Sequence, residues 1–258
     1  MEPYTIPILI EENLNGLYTL AAESGKYPHG VEEGFSWVNV SPNIWPNYIY
    51  NAHFNEADAQ SRIQAVTILI DKGFAPPFWI TGPKLTIADF SEMLLKCNFR
   101  NIMKWPGMAI DLKNKSMITS NRNIEVKEVQ STLQLEEWVN ITQRILFNQK
   151  SLDTELLMIM LNSNQVTLLL GYLDGKAVAT LMVYINKGIA GFFMVTTLPE
   201  FRKMGISGTM LLRAMEIAKE KNCYYAVLQA NSMSYMMYKS IGFQEYCTFD
   251  IYWKMGNR

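Results

Sequence analysis

Two runs of strand-forming residues, QVTLLLGYL and KAVATLMVYI, flank the dipeptide Asp174-Gly175, and that arrangement constrains the fold more than any other part of the chain. Asp-Gly between such runs is the pattern of a two-residue hairpin, whose central positions need a left-handed backbone that glycine takes freely and aspartate tolerates. Two long strands must then run antiparallel, which excludes an all-parallel, doubly wound sheet. The letters GYLDGK do not make a phosphate loop. The spacing falls short of GxxxxGK[ST], Ala177 follows the lysine, and no helical pattern begins there.

Around the hairpin the periodicity is legible. IEVKEVQ reads as a strand, and two helices are expected across Leu133 to Asn162. A third strand, GIAGFFMVTT, runs into LPEFRKMGIS. From Gly208 to Lys221, Leu211, Ala214, Met215 and Ala218 recur at helical spacing while Arg213, Glu216 and Glu220 face the other way, which predicts an amphipathic helix. A buried strand YYAVLQ, a short helix through Tyr238 and two closing strand segments ending near Lys254 complete this half. Residues Asp111 to Asn123 are polar, lack aromatics and read as a linker. Before it come a helix from about Glu11 to Ser24, strands at FSWVNV and NYIYNAHF, a helix through DAQSRIQAVTILIDKG, a strand PFWITG, a further helix and GMAIDL. The order is mixed α/β, with Trp37, Trp45, Trp79 and Trp105 as core and turn anchors.

Charge and composition narrow the chemistry. With 23 basic against 24 acidic side chains and a net charge of -1, no basic face is indicated, so nucleic acid is not an expected partner. Cys97, Cys223 and Cys247 are odd in number and far apart, as in reduced thiols of a cytoplasmic protein; Cys223 and Cys247 fall at strand positions and read as buried rather than nucleophilic. His29 and His53 have no partners at metal-ligand spacing and no GxSxG serine, which speaks against a zinc site and a Ser-His-Asp site. The opening MEPYTIPILIEEN lacks a basic region, and no run reaches the roughly 18 apolar residues that span a membrane. A cytoplasmic protein without membrane association is expected.

The junction LPEFRKMGISGTMLL carries the chemistry. The first N–H groups of a helix have no partner within it, and small residues let an anion approach them. Gly205 and Gly208 lack a Cβ, Ser207 adds a hydroxyl, and Arg202 with Lys203 adds positive charge, so this loop and helix start are expected to hold a phosphate.

The run Arg202-Lys203-Met204-Gly205-Ile206-Ser207 resembles the [QR]-x-x-G-x-[GA] signature of the GNAT acyltransferase superfamily, with Ser207 in the place of glycine or alanine. Downstream, NSMSYMMYKSIGF resembles that family's N-x-x-A-x-x-[LV]-Y-x-x-x-G-F segment. Asn231, Tyr238, Gly242 and Phe243 match, while Ser234 and Met237 depart conservatively. The strand before the loop, with LPEFR, resembles the family's V-x-P-x-x-R exit, with Thr197 at the valine position, and VTTLPEFRKMGIS and AVLQANS are similar to the VATLPEYRGRGIG and AVLQAS of a bacterial subgroup. That subgroup also has a front half with a degenerate copy of the fold, ending in a phrase like PGMAIDL, here Pro106 to Leu112.

The resemblance implies an α+β fold, a mixed and mostly antiparallel sheet flanked by helices. It further implies a degenerate GNAT-like domain at 1–115, without a cosubstrate loop of its own, and a GNAT domain at 124–258. It implies acetyl-CoA as cosubstrate and an amine, of a small molecule or a peptide, as acceptor. Its diphosphate would lie on the backbone of Arg202, Lys203, Met204, Gly205, Ile206, Ser207 and Gly208, and its pantetheine along the main chain of Val195, Thr196 and Thr197, where the strand splays from its neighbour. Main-chain N–H groups there are candidate donors to the thioester carbonyl. Tyr238 is the candidate catalytic residue: a phenol of pKa about 10 donates to a departing thiolate of pKa about 8.5 without ionising at neutral pH. Asn231 and Tyr235 precede Tyr238 at i, i+4 and i+7 and are candidate cosubstrate contacts on one helix face, Asn231 alternatively as a helix cap. No general base is identified; Glu155, Glu200, Glu245 and Asp250 carry no distinguishing feature. A non-catalytic acyl-CoA sensor or scaffold is the alternative, and the oligomeric state is open, a homodimer included.

Overall fold

A computed structural model describes residues 5–113 and 123–256, so residues 114–122 of the expected linker lie outside the described residues. In chain order the elements are α1 (Ile6–Ala22), β1 (His29–Glu32), β2 (Phe35–Val38), β3 (Tyr48–Tyr50), α2 (Glu56–Asp71), β4 (Phe78–Thr81), α3 (Phe90–Lys96) and β5 (Phe99–Asp111). They continue with β6 (Ile124–Glu128), α4 (Thr132–Leu146), α5 (Thr154–Leu161), β7 (Val166–Leu173), β8 (Lys176–Asn186), β9 (Ile189–Thr197), α6 (Ile206–Glu220), β10 (Tyr225–Gln229), α7 (Tyr235–Ile241) and β11 (Gln244–Lys254). The chain forms two compact units, 1–107 with 246–258, and 108–245.

In the first unit β1, β2 and β3 pair antiparallel in sequence, β3 meets β4 in parallel at Ile49 and Trp79, and β11 pairs antiparallel with β4. Its core gathers around Trp79, whose ring meets Phe90 edge-on at 5.5 Å and Phe99 at 5.9 Å. Helix α1 begins five residues before the expected Glu11, because Pro7 falls in the first turn, where a missing N–H costs nothing. Helix α2 is capped by Asn55, which accepts from the Asp58 N–H at 3.0 Å. The end of the chain departs from expectation: β11 is one strand of 11 residues, not two segments, since nothing between Gln244 and Lys254 breaks an extended backbone.

In the second unit β6, β7, β8 and β9 pair antiparallel in sequence, and β10 adds in parallel to β9. The expected hairpin closes β7 on β8, with Asp174 and Gly175 both left-handed at φ 50° and 77°. Strand β8 is buried from Val178 to Tyr184, as a strand covered on both faces must be. Helices α4 and α6 cover β8 and β9, α4 through Leu135, Trp138, Val139 and Thr142, and α6 through Ile206, Met210, Leu211, Ala214 and Ala218. Among the described residues no helix is long and apolar enough to cross a membrane.

Candidate active site

The site grows from an irregularity in β9. Its pairing with β8 runs in register from Asn186 and Ile189 to Met182 and Phe193, then resumes at Thr180 and Thr196. Two residues of β9, Met194 and Val195, thus stand against Leu181 alone, which is a β-bulge. Met194 takes the left-handed conformation, φ 49°, a strain of about 1–2 kcal/mol for a residue with a side chain. On the other edge, the parallel ladder with β10 ends at Gly191 and Val227, although β9 continues to Thr197 and β10 to Gln229. The two strands therefore cease to pair shortly before β9 bulges, leaving Val195, Thr196 and Thr197 beyond the ladder with β10. At the end of β10 the side-chain nitrogen of Gln229 is buried with no hydrogen-bond partner among the described residues.

From Thr197 the chain turns through a short 3-10 segment, Pro199–Phe201, into α6. Lys203 and Gly205 are left-handed, φ 64° and 75°, and Gly205 caps the helix with no side chain. Gly208, read as a second flexible glycine, is instead a helical residue in the first turn, where it contributes only the absence of a Cβ. The first turn holds no acid, so the N–H groups of Ile206, Ser207 and Gly208 face their surroundings without a competing carboxylate. Arg202, Lys203, Met204 and Gly205 are exposed. Arg202 anchors the turn by donating from Nε to the Thr197 carbonyl at 3.3 Å. The hydroxyls of Thr197 and Ser207 lie 3.0 Å apart and tie the end of β9 to the start of α6.

Helix α7 starts at Tyr235, so Asn231 lies ahead of it and the expected single face of Asn231, Tyr235 and Tyr238 does not form. Asn231 instead closes the turn that leads into α7, its Oδ1 accepting from the N–H and Oγ of Ser234, the N-cap residue, each at 2.9 Å. Tyr235 points elsewhere, donating to Glu245 Oε2 at 2.7 Å, and that bond raises its pKa. Tyr238 is buried, 5% exposed. Its ring meets Phe243 edge-on at 5.8 Å, and Phe243 meets Phe192 of β9 at 6.4 Å. Gly242, left-handed at φ 115°, ends α7 and turns Phe243 back onto that ring. Burial raises the pKa of Tyr238 well above the ordinary phenol value, with Ser234 as a modest counterweight, so the hydroxyl keeps its proton across the neutral range.

The other candidates find ordinary places. Glu200 lies 3.8 Å from Arg144, and Glu245 is engaged by Tyr235. Cys223 is buried, which raises its thiol pKa, whereas Cys247, expected to be buried, is half-exposed. The ring nitrogens of His29 and His53 meet the carbonyls of Tyr27 and Asn51 at 2.9 and 2.6 Å. Sequence reasoning missed a buried group beneath the bulge, Thr142, Thr180 and Trp138, whose one signal is a threonine inside the apolar run of β8.

Residues 132–243 match the acetyltransferase (GNAT) family. No curated protein matches the chain in sequence. Several solved structures share its fold. A GCN5-related N-acetyltransferase from Kribbella flavida superposes with a TM-score of 0.74 at 14% identity, covering 98% of each chain. One from Sphaerobacter thermophilus gives 0.63 at 15% identity over 80% of this chain and 70% of its own. A conserved protein of unknown function from Staphylococcus epidermidis gives 0.62 at 13% identity over 89% and 94%.

Proposed function

From the match of residues 132–243 to the acetyltransferase (GNAT) family we propose that the protein transfers an acetyl group from acetyl-CoA to a primary amine of a small molecule or peptide, by direct attack in a ternary complex. The observation that carries this reading is the coincidence, within one strand and the helix after it, of a bulged edge released from pairing and an uncapped, acid-free helix start.

The residues fit such a cosubstrate. A diphosphate would find first-turn N–H groups, the left-handed backbone of Lys203 and Gly205 leading into them, and the cations of Arg202 and Lys203. An amide-rich arm suits the side of Val195 to Thr197 that lies beyond the ladder with β10, since an extended chain satisfies free backbone groups as an added strand does. Gln229 offers a spare buried donor at the end of the opposite strand, suited to a carbonyl of that arm. Acetyl-CoA supplies an activated thioester. Main-chain N–H groups after the bulge are the donors for its carbonyl oxygen as negative charge develops there. Tyr238, held protonated by burial, donates to the departing sulfur. The proton lost by the amine leaves through solvent.

Calorimetry with acetyl-CoA, amide-shift mapping and an assay of thiol release over a panel of primary amines test this. The expected result is binding that shifts the amides of Lys203 to Gly208, and release with at least one amine. Binding without release from any amine would make the domain an acyl-CoA sensor. A saturating dose that leaves those amides unmoved would remove the reading altogether.

A further inference from the structure

Beneath the bulge lies a buried polar group that the proposed chemistry has not used. Thr142 of α4 and Thr180 of β8 are fully buried, and Thr196 of β9 is 4% exposed. Thr180 Oγ1 is their hub, 3.1 Å from the carbonyl of Met194, 3.2 Å from Thr142 Oγ1 and 2.7 Å from Thr196 Oγ1. A hydroxyl has one proton and two lone pairs. The Met194 carbonyl can only accept, so Thr180 gives its proton there and receives those of Thr142 and Thr196. All three of its bonding positions are then filled in one arrangement. One turn before Thr142, fully buried Trp138 directs its indole N–H at the carbonyl of Leu181, 3.4 Å away. Leu181 is the residue that faces the two bulged ones. Helix α4 therefore reaches both sides of the irregularity.

This group has a direction. Met194 is the left-handed residue, and the orientation of its carbonyl sets the peptide plane leading into Val195. Ordinary β pairing would relax that strain by returning the strand to register, and a buried donor fixed on the Met194 carbonyl opposes it. We propose that Thr180 is a positioning residue for acyl transfer: its hydroxyl holds the Met194 carbonyl, and so the bulge, in the one arrangement that presents the main chain of Val195 to Thr197 to the thioester, with Thr142, Thr196 and Trp138 fixing Thr180 and Leu181 in turn. This rests on the function proposed above, because it is the thioester that the bulge serves.

The test compares Thr180→Val, which keeps the shape and removes the hydroxyl, with Thr180→Ser, which keeps the hydroxyl. The readouts are acetyl-CoA affinity by calorimetry, turnover of acetyl-CoA with the best amine of the panel, and amide shifts and hydrogen exchange of Met194 to Thr196 in the free protein. In Thr180→Val, kcat falls about tenfold or more while affinity stays within about threefold, because the diphosphate cradle is untouched. The amides of Val195 and Thr196 shift and exchange faster, and Thr180→Ser restores both rate and shifts. Wild-type turnover in Thr180→Val, with native amide shifts, overturns the proposal and leaves the acetyltransferase reading standing. Should Thr180→Val fail to fold, Trp138→Phe removes the donor to Leu181 and keeps a smaller aromatic ring in its place. It is expected to lower kcat about threefold at unchanged affinity, and a wild-type kcat there overturns the proposal instead. A wild-type protein that does not bind acetyl-CoA overturns the function itself and this inference with it, an outcome distinct from an active Thr180→Val.

Discussion

Two side chains that depart from the family motif touch each other. Thr197 stands at a valine position and Ser207 at a glycine or alanine position, and their hydroxyls meet at 3.0 Å across the turn from β9 to α6. Each departure is explained by the other: a lone threonine hydroxyl at the buried end of β9 would want a partner, and serine is the smallest residue that supplies one at the helix start. Thr197→Val and Ser207→Ala should each cost about 1 kcal/mol in chemical denaturation, and the double variant little more than either, a coupling of about 0.5–1 kcal/mol. Additive losses would show that the two hydroxyls act independently. Tyr238 argues differently, since its hydroxyl is asked to contribute only when sulfur departs. Tyr238→Phe should lower kcat about 100-fold and leave acetyl-CoA affinity unchanged, and an equal fall in both would assign the residue to binding. The resemblance located all of these positions by number. It did not reveal that the two departures are paired, because hydroxyls that meet across a turn leave no spacing to read.

At the level of elements, legibility followed the strength of local punctuation. The Asp174-Gly175 hairpin, the amphipathic α6 and the short α7 ending at Gly242 were all readable, because turn chemistry and periodicity agree there. Strand β1, HGVE, was not, since it is largely exposed and only its ladder with β2 makes it a strand. The bulge in β9 was hidden for a related reason: FFMVT is uniformly strand-forming, and the left-handed Met194 is imposed by neighbours rather than by its own preference. Gly205 is the reverse case, where the residue type itself admits φ 75°. Gly205→Ala should therefore destabilise the domain by about 1–2 kcal/mol through its backbone, and should weaken acetyl-CoA binding by tilting the first turn of α6. Calorimetry and thermal melts on the same preparation check this together. Lost stability with native affinity would show that the cradle does not depend on the cap.

Across the whole molecule, the pH dependence of stability is set in part by a residue remote in sequence from all of this chemistry. Glu11 sits in α1 within IEENL, a stretch that reads as an ordinary polar helix face, yet it is 2% exposed. Its position against Gly82 leaves no room for a side chain at residue 82. That burial is a product of tertiary packing and could not be read from the chain. Its Oε2 accepts from the Lys84 N–H at 2.7 Å, but desolvation outweighs this bond and the Lys84 charge, with Glu12 adding repulsion, so the carboxyl is pushed up from 4.5 to about 7. The sign follows from proton counting. Between those two values the folded chain holds a proton that the unfolded chain has lost, so stability falls as pH rises through this window and is lowest, on this account, above about pH 7. The full effect is roughly 3 kcal/mol, enough to move a melting temperature by several degrees in a chain of this size. Glu11→Gln keeps the shape and an acceptor for Lys84 while removing the charge. Calorimetric melts from pH 5 to pH 8 should show the wild-type midpoint dropping relative to the variant as pH rises, the divergence growing up to about pH 7 and levelling off above it. Parallel curves would mean that water or a shifted lysine relieves the carboxylate, and that Glu11 titrates in the folded chain as it does in the unfolded one.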